Sequence, residues 1–209
     1  MSKFLLTAVG ATALAAASAA NAGITFSGTT TGCWTVGGVG PCTAVDSGLT
    51  FNPGTFTQTT NAAGFAGIGG DTNNFGTITL VPDGHDYTGD VFNLMINFTA
   101  PAGTGTAALT ANLLGSLTAT GVGGLQISFV NPTVQVSNGS GGFYTLHIND
   151  LAFSGTLPAG ATSFTQDVNG YILAGPVPEP AAWALMLLGF GGIGLAMRYR
   201  RKPVLEQIA

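Results

Sequence analysis

The sequence predicts an all-β protein: an antiparallel β-sandwich or jelly-roll-like ectodomain over residues 23–175, with a signal peptide before it and one transmembrane helix after it. Apolar residues recur in this body with a period of two, the spacing that puts alternate side chains on one face of a strand. Gly, Pro and Asn punctuate the runs at short intervals, and no stretch of the body sustains a helical period. Residues 181–197 carry no charge and are followed at once by basic residues.

Residues 1–22 read as a secretory signal peptide. Lys3 gives the positive start, residues 4–17 form a short apolar run, and Ala20-Asn21-Ala22 is a small-x-small cleavage site. A first strand is expected over residues 24–27. Cys33 and Cys42 are the only cysteines, and in an exported chain they predict a disulfide closing a glycine-rich loop. Thr55-Phe56-Thr57-Gln58-Thr59 is a possible strand with three threonines on one face. Further strands are expected over residues 77–81, 107–114, 133–137, 151–154 and 171–174. The clearest run is residues 91–98, where Phe92, Leu94, Ile96 and Phe98 share a face; residues 125–129 and 144–148 repeat the alternation. Asn138-Gly139-Ser140-Gly141-Gly142 is a hairpin turn signal. Many short antiparallel strands argue for a sandwich; a β-solenoid would need a fixed repeat, which the chain lacks.

Charge excludes several functions. Only 7% of the 209 residues are charged, against roughly 25% in a typical soluble protein. The five basic residues are Lys3, Arg198, Arg200, Arg201 and Lys202, so residues 4–197 hold no Lys or Arg. Nucleic-acid binding by the body is thereby excluded, as are a Lys Schiff base, an Arg clamp and a Walker-type phosphate loop.

For chemistry the body offers two histidines, His85 and His147. Asp83, Asp86 and Asp90 form its densest acidic stretch, a candidate calcium loop, although an exposed turn explains the same residues and His85 breaks the EF-hand pattern. No Gly-x-Ser-x-Gly elbow accompanies either histidine, and nothing selects a glycosidase carboxylate pair. The expectation is therefore no enzyme activity and no cofactor beyond that calcium. Trp34, Tyr87, Phe143 and Tyr144 are candidates for an aromatic sugar platform. The threonine rows resemble the flat Thr-x-Thr arrays of some ice-binding proteins, though threonine also suits any wet strand face.

The C-terminal end is the most specific part of the sequence. Gly175-Pro176-Val177-Pro178-Glu179-Pro180 is a stiff spacer, because each proline fixes φ and disfavours helix in the residue before it. Residues 181–197 then make about 25 Å of helix at 1.5 Å per residue, the short end of a membrane span. Trp183 and Tyr199 suit the two interfaces, and Arg198, Arg200, Arg201 and Lys202 stay cytoplasmic by the positive-inside rule. Pro178-Glu179-Pro180, Trp183, the glycine-rich stretch around Gly189, and the basic cluster 198–202 closely resemble the PEP-CTERM sorting signal over residues 176–202. Residues 203–209 extend beyond the cluster, where such tails usually stop.

The resemblance implies processing by exosortase, a membrane-embedded enzyme of Gram-negative bacteria. It also implies an association with exopolysaccharide. Signal peptidase, the translocon and membrane lipid are the other expected partners; nucleic acid is not one. The expected course is an inner-membrane protein with a periplasmic body, later released to the cell surface or beyond. The expected function is a non-enzymatic surface or matrix protein, the alternatives being a carbohydrate- or ice-binding module and a secreted hydrolase.

Overall fold

Alternation along the sequence becomes antiparallel pairing in space. The structure, a computed structural model, describes residues 23–174 and residues 180–200. The signal-peptide expectation (1–22), Pro178, Glu179, Arg201, Lys202 and the tail 203–209 lie outside the described residues.

β1 (Thr25–Thr35) leads through a single 3-10 turn (Val36–Gly38) to β2 (Val45–Asp46) and β3 (Leu49–Asn52). β4 (Thr55–Thr59), β5 (Phe65–Ile68) and β6 (Thr77–Leu80) are short, whereas β7 (Val91–Ala100), β8 (Thr106–Leu117) and β9 (Gly123–Phe129) are long. β10 (Thr133–Ser137), β11 (Phe143–Ile148), β12 (Leu151–Gly155), β13 (Phe164–Asp167) and β14 (Gly170–Ala174) complete the body, and α1 (Pro180–Arg200) follows. The body, Gly23–Pro176, is one compact unit, and α1 belongs to another.

The body is all-β. A six-stranded sheet runs β12-β9-β8-β7-β1-β4, and two four-stranded sheets run β10-β11-β14-β5 and β13-β6-β3-β2. Every strand pairing is antiparallel. One hydrophobic core serves all three sheets. Phe92, Leu94, Ile96 and Phe98 are buried on one face of β7, as their period of two requires. Phe26 of β1 meets Tyr144 of β11 edge-on at 4.8 Å, and Phe51 of β3 meets Phe92 of β7 at 5.2 Å. Both four-stranded sheets therefore pack aromatic rings against the six-stranded one.

β1 corrects the expectation for residues 24–27, since it continues to Thr35. Gly28, Thr30 and Gly32 lie on its inward side between Phe26 and Trp34, where the apolar pattern lapses. The reason is steric. A Cβ on Gly32 would stand 2.6 Å from the Phe51 ring and 2.8 Å from the Phe92 ring, so glycine makes room for both. β2, β3, β5 and β13 were not expected at all. They are strands of two to four residues, too short to show a period.

Candidate functional site

The site with the most unusual electrostatics joins three segments at one side of β1. Asp46 ends β2 and pairs with Leu49 across a two-residue turn, Ser47-Gly48, in which both residues have positive φ (37° and 84°). Such a primed turn matches the twist of a hairpin. Glycine is needed at position 48, because a Cβ there would strike the Val81 carbonyl. The second segment is the loop of residues 81–90. Its buried Tyr87 donates a hydrogen bond from Oη to the Ser47 carbonyl, tying loop to turn.

Asp90, immediately before β7, is held on all sides. Its N–H donates to the Tyr87 carbonyl at 3.0 Å, and its own carbonyl accepts from the Leu113 N–H at 3.0 Å. Its Oδ1 accepts from the Gly37 N–H at 2.7 Å. Gly37 lies in the loop closed by the Cys33–Cys42 disulfide, whose Cα atoms are 5.4 Å apart. The predicted disulfide thus forms the third segment of the site. A bridge closing so short a loop stabilises by about 2.5 kcal/mol in the chain-entropy account.

His85 Nε2 stands 3.4 Å from Asp90 Oδ2. The His85 N–H donates to Asp83 Oδ1 at 3.0 Å, and its ring meets Tyr87 edge-on at 4.8 Å. One donor atom each from Asp46, His85 and Asp90 lie within 4.8 Å of one another. Asp46 and Asp90 are only 3% and 4% exposed, while the His85 side chain is 35% exposed. Asp46 Oδ2 is buried without a hydrogen-bond partner.

This gathering overlaps the calcium expectation at Asp83, Asp86 and Asp90 at one residue. Among the described residues, the group with metal-ligand spacing contains Asp90 alone of those three. Asp86 is turned to its own loop: its Oδ1 accepts from the Thr88 N–H at 3.0 Å and the Thr88 hydroxyl at 2.6 Å. Those two bonds, the hydroxyl's first, hold its carboxyl below the usual range. Asp83 instead caps the His85 N–H and stands 3.4 Å from Tyr87 Oη. Burial, reinforced by the charge of Asp83, pushes the Tyr87 phenol above its ordinary range.

Burial likewise pushes the Asp46 carboxyl above the ordinary carboxylate value, with further upward pressure from the negative charge of Asp90. A nearby His85 opposes this and Asp83 adds to it. The folded state therefore holds a proton on Asp46 at pH values where the unfolded chain, with a pKa near 3.9, has released it. Stability from this group is greatest below about pH 3.9 and falls as pH rises through the native value. In EDTA-containing buffer, Asp46→Asn is expected to flatten this fall. Melting temperatures of the two proteins between pH 4 and pH 7 check it; parallel curves would contradict it.

The sugar-platform candidates do not share a surface. Trp34 and Tyr87 are in the core, Tyr144 is half-buried against Phe26, and Phe143 is exposed. His147 lies on β11, where it stacks on Tyr171 at 4.7 Å and its Nδ1 is 2.8 Å from the Thr133 hydroxyl. Thr55, Thr57 and Thr59 do form an exposed row on β4. Two of them pair with the neighbouring strand, Thr59 with the Thr25 hydroxyl at 2.8 Å and Thr57 with the Ser27 hydroxyl at 3.1 Å.

In the tail, Pro180, Trp183, Gly189, Arg198 and Arg200 all fall on α1. Met186, Leu187, Leu188, Phe190, Ile193, Leu195 and Met197 of this helix are exposed, and at 100° per residue they spread over more than half of its circumference, with Gly189 and Gly192 in the remaining arc. Among the described residues, no helix is long and apolar enough to cross a membrane.

The chain thus joins an antiparallel all-β body to a C-terminal segment with a proline-rich stretch, an apolar run and a basic end, the order of parts of a sorting signal. Residues 176–202 match the family described as the PEP-CTERM protein-sorting motif, and the chain carries that motif. No curated protein and no solved structure matches the chain. The motif implies export, a membrane-anchored sorting signal and an exosortase-type processing partner.

Proposed function

We propose that this is a non-enzymatic surface or extracellular-matrix protein, built as a β-sandwich and anchored by residues 181–197 in the inner membrane until an exosortase-type enzyme cuts it. The observation that carries the reading is the sorting motif over residues 176–202. The spread of apolar side chains around α1 supports the anchor, since a helix without a polar face needs an apolar surrounding. The span takes in residues whose side chains lie outside those described, so it rests on the uncharged sequence 181–197 and the basic cluster behind it. A Cβ on Gly189, Gly191, Gly192 or Gly194 would meet nothing within 4 Å; Gly189 and Gly192 share one side of the helix and Gly191 and Gly194 the opposite one, and each pair leaves room for close approach by another helix.

Signal peptidase releases the body after Ala22 in this reading, and the basic cluster stays cytoplasmic. The mature body then reaches the surface and associates with exopolysaccharide. A truncation ending at Gly175 tests the anchor. It is expected to leave the membrane fraction for the soluble periplasmic fraction, as read by fractionation and immunoblotting in an exosortase-containing host. Identical fractionation of the truncated and full-length chains would overturn the reading.

A second reading, a carbohydrate- or ice-binding module, is favoured by one observation. The outward face of β1, β4, β7 and β8 bears Thr29, Thr55, Asn97 and Thr106 in one cross-strand row, and its strands carry no charged side chain. A charge-free sheet of hydroxyls and amides suits a neutral, hydroxyl-bearing ligand.

A further inference from the structure

We propose that Asp46, His85 and Asp90 form a structural site for a divalent transition-metal cation of the zinc class, with solvent completing the coordination on the exposed side of His85. The argument starts from charge. Two carboxylates, 3% and 4% exposed, face each other in a body that has no Lys or Arg anywhere between residues 4 and 197. Buried charges need a partner or a metal. His85 is the one nearby group able to carry positive charge, and its Nε2 is directed at Asp90. A proton shared between Asp46 and Asp90 cancels only one of the two charges, and Asp46 Oδ2 is buried with no hydrogen-bond partner among the side chains around it. A cation among the three donors satisfies that oxygen and balances both carboxylates at once.

The donor chemistry selects the metal. An imidazole nitrogen with two carboxylate oxygens suits zinc and its neighbours better than calcium, which takes six to eight oxygens. The 3.4 Å between His85 Nε2 and Asp90 Oδ2 is also the separation of two ligands on a tetrahedral ion with bonds near 2.0–2.1 Å, about 3.4 Å. The surroundings are those of a metal ligand set. Asp90 has its second oxygen fixed by the Gly37 N–H, and the His85 backbone is fixed by Asp83. The half-exposed His85 gives a path from solvent. A bound ion would staple the β2–β3 turn to the 81–90 loop, two segments about forty residues apart in sequence.

The experiment uses the full-length chain in detergent, stripped with EDTA and titrated with zinc chloride by calorimetry. One equivalent is expected to bind, and excess zinc is expected to raise the melting temperature by mass action. Asp46→Asn and His85→Gln should each weaken binding by about 100-fold or more and abolish the melting shift, whereas Asp86→Asn should bind as the wild type does. A readout on the unaltered chain guards against variants that fail to fold. The chain has two histidines, and in the nitrogen-detected spectrum zinc should move the ring signals of His85 and leave those of His147 in place. Absence of zinc binding, a shift at His147 in place of His85, or full affinity in both Asp46→Asn and His85→Gln would overturn the proposal. So would stabilisation by calcium and not by zinc.

Discussion

Truncating Phe92 to alanine is expected to cost about 3–5 kcal/mol of stability, a large share of the 5–15 kcal/mol typical of a folded domain. Phe92 has no exposure to solvent. Its ring lies 4.4 Å from that of Trp34, 5.2 Å from Phe51 and 6.5 Å from Phe129. These are rigid aromatic neighbours on the paired sheets, and the backbone at Gly32 is already as close to the ring as it can come. The walls of the new cavity therefore cannot collapse, which puts the cost toward the upper end for this change. Met95→Ala, three residues along the same strand on the outward side and 51% exposed, is expected to cost no more than about 0.5 kcal/mol. Urea denaturation of both variants checks the pair. Equal losses would mean that β7 does not bury the face described here.

Replacing Pro178, Glu179 and Pro180 by alanine is expected to abolish processing while leaving the body folded and the chain in the membrane. The two prolines keep the backbone at Glu179 extended, the form a cutting enzyme can grip. Alanine has the highest helix propensity, so the same three positions would extend the following helix backwards and hide the bond to be cut. Intact-mass analysis of material from an exosortase-containing host gives the answer. A substituted chain that loses its basic end as the wild type does would show that the motif is not what the enzyme reads.

The legible parts of this protein are those whose signal is local. The strands β7, β8 and β9 announce themselves because buried side chains alternate with exposed or half-buried ones over five or more residues. The disulfide was legible because an exported chain with two cysteines has one possible pairing. The sorting segment was legible because motif, apolar run and basic cluster are contiguous. The second half of β1 was not, since its inward positions are glycine and threonine, set by rings from β3, β4 and β7 and by the Gly54 backbone that Thr30 bonds. Asp46 was equally silent. Asp46-Ser47-Gly48 reads as an ordinary turn, and nothing local says that its carboxylate will meet His85 and Asp90 some forty residues later.

The sequence alone therefore determined class and sorting signal: alternation fixed an all-β body, the missing cations excluded whole families of ligand, and a contiguous tail carries the PEP-CTERM motif that implies export. Tertiary structure alone decided which carboxylates share a buried space. Asp83 and Asp86, near in sequence to His85, were drawn into hydrogen bonds of their own loop. Asp46 was carried in by the pairing of β3 with β6 and by the Tyr87 anchor on its turn. Secondary structure is written in nearest neighbours, but the desolvation and the missing partner that mark a site arise only when distant segments exclude water together.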